Sequence, residues 1–200
     1  MKIHSGLRLL RNLGVSLAFA TVLINVAFYL GFGSPGSWIM LPLGLFYGVF
    51  FEYVYHRWFL HSNIGFLAAK HRVHHRDYHG EEFRTTDRYR GNISEDWGFF
   101  PVALLIHASA MLVVLGSIPA VLVLSLWIFY AQFEVFHWAT HMEGNIIDRL
   151  LLKLPVTRTV REVMILHHFI HHDMPKMNYN FTEPYLGDHL LGTYEGIVIK

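Results

Sequence analysis

Four stretches almost free of charge constrain this chain more than any other feature. Residues 15–32, 38–55, 99–118 and 121–135 contain no Lys, Arg or Asp, and Glu52 and Glu134 each sit near one end of a stretch. Inside hydrocarbon every backbone N–H and C=O must find a partner within the protein, and for an uninterrupted apolar run of about 18 residues that means α-helix. Three stretches reach the roughly 18 residues that mark a spanning helix, and the fourth does so when taken as 119–138. Hydrophobic residues make up 53% of the chain and charged residues 16%, against about 25% charged in an average soluble domain. The expectation is an all-α integral membrane protein, with four transmembrane helices over about 15–32, 38–55, 99–118 and 119–138.

The basic residues give the expected orientation. The connections 33–37 and 116–120 contain none of the sixteen Lys and Arg and carry turn residues: Gly33, Pro35 and Gly36 in the first, Gly116 and Pro119 in the second. By the positive-inside rule these turns face away from the cytoplasm, and both termini and the long segments 56–97 and 139–200 are cytoplasmic. The chain therefore reads as one membrane-embedded domain, 1–200, in a bacterial inner membrane or the endoplasmic reticulum. It is built as two hairpins, each followed by a cytoplasmic segment. Trp38 on the far side and Trp58, Trp97 and Trp138 on the near side suit interfacial belts. Lys2, Arg8 and Arg11 resemble the start of a signal peptide, but the apolar run that follows is too long for one, so it reads as a retained helix.

Past the fourth span, Ile146, Ile147, Leu150, Leu151 and Leu154 recur at helical spacing around Asp148, Arg149 and Lys153. This describes an amphipathic helix suited to a membrane surface, ended or bent by Pro155. Helix-forming residues resume over 159–172. Residues 197–199 are apolar but too few to span. The absence of Cys excludes disulfides, thiolate clusters and thiol nucleophiles. A net charge of +1 without a dense basic block gives no sign of a nucleic-acid partner.

The chemistry lies in the histidines. Ten of the fifteen His fall in four groups at or beyond the cytoplasmic ends of the apolar stretches. They are His56 and His61; His71, His74 and His75; His137 and His141; and His168, His171 and His172. Imidazole suits Zn, Cu, Fe and Ni, and residues three or four apart on a helix share a face. Each of the two HX2HH groups spans an arc of about 100°, and His137 and His141 form an i,i+4 pair. His56 and His61 are five apart, which implies a helix end or a π-bulge between them. One metal cannot use ten imidazoles, whereas two metals with about five each can, so a cytoplasmic helical cap carrying a di-metal site is expected.

Around these ligands, Glu52 and Glu134 each lie about one turn before a histidine and are placed to accept its free N–H. His79 and His167 are candidates for additional ligands or for supporting partners. Asp77 and Asp173 are weaker candidates. His107 lies inside the third span, where a functional role and a simple interhelical hydrogen bond both stay open. His4 and His189 read as surface or packing residues.

With these motifs in view, the chain resembles the fatty acid hydroxylase superfamily, which includes sterol desaturases, sterol C4-methyl oxidases and carotenoid hydroxylases. The likeness is greatest to sphingolipid fatty acid 2-hydroxylases. It covers residues 51–194 and rests on EYVYHRWFLH at 52–61, HRVHH at 71–75, HWATH at 137–141 and LHHFIHH at 166–172. The stretch NYNFTEPYLGDHLLGTY at 178–194 is similar to a family segment of the form NFG…P..WDRLFGT. In it Asn180 stands near the family's Gly, an exchange suited to a left-handed backbone, and Gly187 replaces the family's Trp.

The resemblance implies a non-haem di-iron oxidoreductase. It would use O2 to insert oxygen into an unactivated C–H bond of a lipid, a fatty acyl chain first and a sterol or carotenoid as the alternative. Two iron ions would be the cofactors, with zinc able to occupy the same ligands. Electrons would come from a separate cytochrome b5, ferredoxin or reductase. A membrane metal transporter or sensor would instead need a polar path through the spans, which only Glu52, His107 and Glu134 interrupt. A zinc hydrolase would need an open zinc with fewer His and an evident base.

Overall fold

The computed structural model describes residues 4–63, 65–88 and 99–196, apart from the side chains of residues 66 and 67. Trp97 and residues 197–199 lie outside that range, as does Lys2. The chain is mostly helical and packs as two compact units.

One unit contains most of α1 (Ser5–Tyr29), the first half of α2 (Met40–Tyr55), α4 (Phe99–Leu115) and α5 (Ala120–His141) up to Glu134. Of these, α1 and α5 are long and apolar enough to cross a membrane. At 17 residues, α4 measures about 25 Å, a little under a bilayer core. Large apolar side chains point outward from the unit, among them Val22, Val26, Ile106 and Val113. Its interior is built around small and aromatic residues: Ala20, Ala27 and Ala108 with Phe100, Leu104 and Tyr130.

Gly44 and Gly48, four apart on α2, lie directly against α5. A Cβ at Gly44 would fall 1.9 Å from Ser125 Oγ, and one at Gly48 would fall 2.4 Å from the Phe129 ring. This is the small-xxx-small contact that lets apolar helices approach closely. Polar bonds add specificity: Trp127 Nε1 donates to Ser16 Oγ at 3.1 Å, joining α5 to α1. The Tyr47 hydroxyl meets His107 Nε2 at 2.8 Å, joining α2 to α4. His107 Nδ1 donates to the Ala103 carbonyl at 2.6 Å, so this histidine is an interhelical tie. The two turns lie side by side, paired as parallel strands β1 (Gly33–Ser34) and β2 (Ile118–Pro119).

The other unit holds the histidines. A π-helical turn, His56–Leu60, follows α2 directly, then come α3 (Gly65–Asp77), the last turns of α5, α6 (Ile146–Leu151), α7 (Pro155–Asp173) and α8 (Leu186–Leu191). Asn145 caps α6 by accepting from the Asp148 N–H at 2.9 Å. Its amide donates back to the Ala139 and Met142 carbonyls, turning the chain sharply out of α5. Pro155 occupies the start of α7, where its missing N–H costs nothing. Helix α7 therefore begins four residues earlier than the sequence implied. Buried Asp148 joins α6 to α7 through Arg161 Nε at 2.8 Å and also takes a bond from Arg84.

Candidate metal centre

Five histidines, His56, His61, His71, His75 and His171, bring one nitrogen each to within 4.8 Å of one another. Four more, His74, His137, His141 and His168, do the same in a second group. His172 completes the ten. Its Nε2 is 3.1 Å from His168 Nε2 and its ring stacks on His75 with centroids 4.2 Å apart.

The local backbone explains who joins which group. The π-helical turn returns the chain one residue late, with His61 N–H donating to the His56 carbonyl. Residues five apart then share a face, as the spacing of His56 and His61 required. His137 and His141 share a face of α5 in the ordinary i,i+4 way. Each HX2HH cluster is split: His71 and His75 go to the five-histidine group and His74 to the four, while His171 joins the first and His168 the second. Successive residues turn about 100° on a helix, so the residue three along sits some 60° round from the first. Helices α3 and α7 thus each reach into both groups.

The distances between nitrogens carry chemical information. His71 Nε2 lies 2.9 Å from that of His56, and 3.0 Å from those of His61 and His75. His61 and His171 are 3.0 Å apart, as are His141 and His168. With metal–nitrogen bonds near 2.1 Å, ligands at right angles stand roughly 3.0 Å apart, against about 3.4 Å at a tetrahedral angle. The spacing fits five- or six-coordinate geometry.

Protonation supports the same reading. A carbonyl can only accept, so the bonds from His56 Nδ1 to Tyr179 O (2.5 Å), His141 Nδ1 to Phe83 O (2.8 Å) and His171 Nδ1 to Met177 O (2.7 Å) place the proton on Nδ1. The inward Nε2 of each then carries a lone pair, and several such nitrogens about 3 Å apart repel unless a cation lies among them. Burial, reinforced by neighbouring imidazoles, holds His71, His141, His168, His171 and His172 well below the usual histidine range. Burial alone brings His61 to about 4, and burial with its neighbours brings His75 to about 2. The rings are therefore neutral donors at neutral pH. Aromatic walls surround them: Tyr179 packs on His56, His61 and His171, and Phe83 on His141, His168 and His172.

Some of the supporting groups differ from those expected. Glu52 is buried, but it accepts from the backbone N–H groups of Phe181 and Thr182, while His56 is oriented by the Tyr179 carbonyl. Glu134 is buried on α5 in the turn before His137. His79 stands outside both groups: it is exposed, with Nε2 3.4 Å from Asp173. His167 is fully buried but turned away from its neighbour His168. It stacks on Tyr185 at 3.8 Å and lies 3.6 Å from Asp188. Asp77 pairs with the adjacent Arg76 and belongs to neither histidine group. His189 stacks on Tyr194, a packing role.

Sequence reasoning did not single out Asp188. It is fully buried and accepts from Tyr179 N–H (2.8 Å), Asn180 N–H (2.7 Å) and Thr193 Oγ1 (2.7 Å). With Glu52 it holds four successive N–H groups, residues 179–182, and so fixes the carbonyl that orients His56. Asn180 serves the same clamp, donating to Val49 O at 2.7 Å and accepting from Gly187 N–H at 2.8 Å. The left-handed backbone expected at Asn180 occurs instead at Asn178 and Tyr185. Gly187 has a steric reason, because a Cβ there would lie 2.2 Å from Tyr53 Cγ. The signal for Asp188 was its place in the GDHLLGT stretch, which α8 folds back onto residues 179–180.

No family model, curated protein or solved structure matches the chain. The histidine groups are what the fold itself offers: two adjoining sets of imidazole donors suited to metal ions.

Proposed function

We propose that the protein is a membrane-bound, O2-dependent di-iron lipid hydroxylase. The observation that carries this reading is the pair of all-imidazole groups with nitrogen edges of 2.9–3.1 Å. A five-donor set exceeds what a closed tetrahedral zinc site uses and leaves at most one position open on an octahedral ion. Bound iron would supply O2 chemistry, giving RH + O2 + 2 e⁻ + 2 H⁺ → ROH + H2O. The chain's own part is to hold imidazole donors in a fixed array, to orient them through backbone carbonyls, and to exclude water with Tyr179, Phe83 and Phe181, whose ring packs on His137 and His168.

The setting belongs to the proposal as well. Four spans, over 15–32, 38–55, 99–118 and 119–138, would place both termini and the histidines on the cytoplasmic side. The apolar helices α2 and α5 run directly into His56 and His137, so a lipid is the natural C–H substrate. A fatty acyl chain is the leading substrate, and a sterol or carotenoid the alternative. The resemblance of 51–194 to the fatty acid hydroxylase superfamily points the same way, with cytochrome b5, ferredoxin or a reductase delivering the electrons.

The test is expression with an electron donor in a host lacking the activity, followed by mass spectrometry of total lipids. Acyl chains heavier by one oxygen are expected, and they should vanish in His171→Ala. Oxidised sterols or carotenoids would change the substrate class. Unaltered lipids from iron-loaded protein with a competent donor would overturn the enzymatic reading.

A further inference from the structure

An aliphatic strip runs along the outside of α6 and the start of α7. Ile146, Leu150, Leu154, Val156 and Val160 are 57%, 56%, 63%, 77% and 43% exposed. The opposite face is packed, with Asp148, Arg161 and Met164 buried. This is a two-sided element whose apolar outer face stays exposed among the described residues, and monomers seldom leave several large aliphatic side chains together in water.

Charge indicates what covers it. Between residues 146 and 160 every exposed charged side chain is basic, Arg149, Lys153 and Arg158, and the exposed acids Glu143 and Glu162 lie beyond the two ends of the strip. Two of the three are held in place, Arg149 on the Gly144 carbonyl at 2.9 Å and Arg158 on the Leu152 carbonyl at 2.9 Å. The one acid in this stretch, Asp148, is turned inward onto Arg161 and Arg84. An aliphatic strip rimmed by cations matches an anionic leaflet, whose acyl boundary takes the side chains and whose phosphates meet the bases.

We propose that the α6–α7 strip is an in-plane docking element seated among anionic lipid headgroups. It rests on the membrane reading of the chain but not on the oxygenase reading. Because α7 carries His168, His171 and His172 on its buried face, docking would fix the helix that supplies three of the histidines against the lipid surface.

The chain contains no Cys, so single cysteines can carry nitroxide probes in the full-length protein. Leu150→Cys and Val156→Cys report the strip, Lys153→Cys its rim, and Lys70→Cys on α3 a water-exposed control. Each is reconstituted in nanodiscs of phosphatidylcholine with or without phosphatidylglycerol, and collisions with O2 and with a water-soluble nickel chelate are measured. The expected result is O2 contact exceeding nickel contact several-fold at 150 and 156, with the reverse at 153 and 70. Removing phosphatidylglycerol, or the variant R149Q/K153Q/R158Q, should lower the O2 preference. Nickel contact at 150 and 156 equal to that at 70 would overturn the proposal. So would protection from both reagents that is lost on dilution among empty discs, which would mean a second copy covers the strip. Metal content is measured on each labelled protein, so a wet strip on metal-loaded protein refutes docking alone.

Discussion

Replacing Asp188 by Asn tests whether the histidine array is held from behind by the clamp on residues 179–182. The carboxylate accepts three bonds, one of its oxygens serving Tyr179 N–H and Thr193 Oγ1 and the other Asn180 N–H. An amide has one accepting oxygen, so its NH2 must face at least one N–H donor. The change forfeits a hydrogen bond to a charged acceptor, about 1.5–3 kcal/mol, and orphans a buried donor at a further 1–3 kcal/mol. A net loss of roughly 3 kcal/mol would lower the melting temperature of a chain of this length by about 6–12 °C. The displaced segment contains the Tyr179 carbonyl that orients His56, and losing such an outer partner typically weakens metal binding about 10- to 100-fold.

The assay is Co2+ binding by D188N and wild type in detergent, read against a chelator of known affinity, with thermal unfolding measured in parallel. The five-histidine group, which contains His56, should weaken more than the group of His74, His137, His141 and His168. If D188N bound both ions within twofold of wild type and unfolded within about 1 °C of it, the clamp would have no part in setting the site.

Other outcomes follow from the same geometry. Gly48→Val in α2 places a branched side chain inside the Phe129 ring position, and the yield of monodisperse protein after extraction should collapse while Gly14→Ala, which meets nothing within 4 Å, extracts normally. Gly187→Trp, which restores the residue of the resembling family, should fail in the same assay because Tyr53 occupies the space. For pH, His61 has an ordinary value of 6.5 and a folded value of about 4, so between the two the unfolded chain binds more protons and stability rises with pH. In metal-free protein His61 alone should contribute fully above 6.5 and lose roughly 3 kcal/mol as pH falls to about 4, and the other buried histidines, depressed in the same direction, add to that loss. Equal denaturation midpoints at pH 7.5 and 4.5 would contradict this.

Much of the architecture is legible in the sequence where a single rule decides it. Charge-free runs of the right length became helices, and the amphipathic pattern after residue 145 became α6. The five-residue spacing of His56 and His61 could share a face only if a turn was π-helical, and it is. What stayed hidden depends on how separate elements approach each other. The clusters at 71–75 and 168–172 look like units, yet each divides between two groups, because α3 and α7 lie across both. Glu52 has the sequence position of a histidine partner, but the returning segment 178–182 reaches His56 first with a carbonyl. Asp188 escaped notice because its partners lie five to nine positions away, across a fold-back. The glycine pair at 44 and 48 has a helix-packing spacing whose partner, α5, only the tertiary structure names.

The most direct test of the central claim is a count of iron per chain in protein purified from iron-replete cells, made by element-specific mass spectrometry against quantitative amino-acid analysis. Two adjoining histidine groups require two ions per chain in wild type, falling in His71→Ala and in His141→Ala, which strike different groups. One ion or none in well-folded wild-type protein that also fails to take up Zn2+ or Co2+ would contradict the dinuclear account.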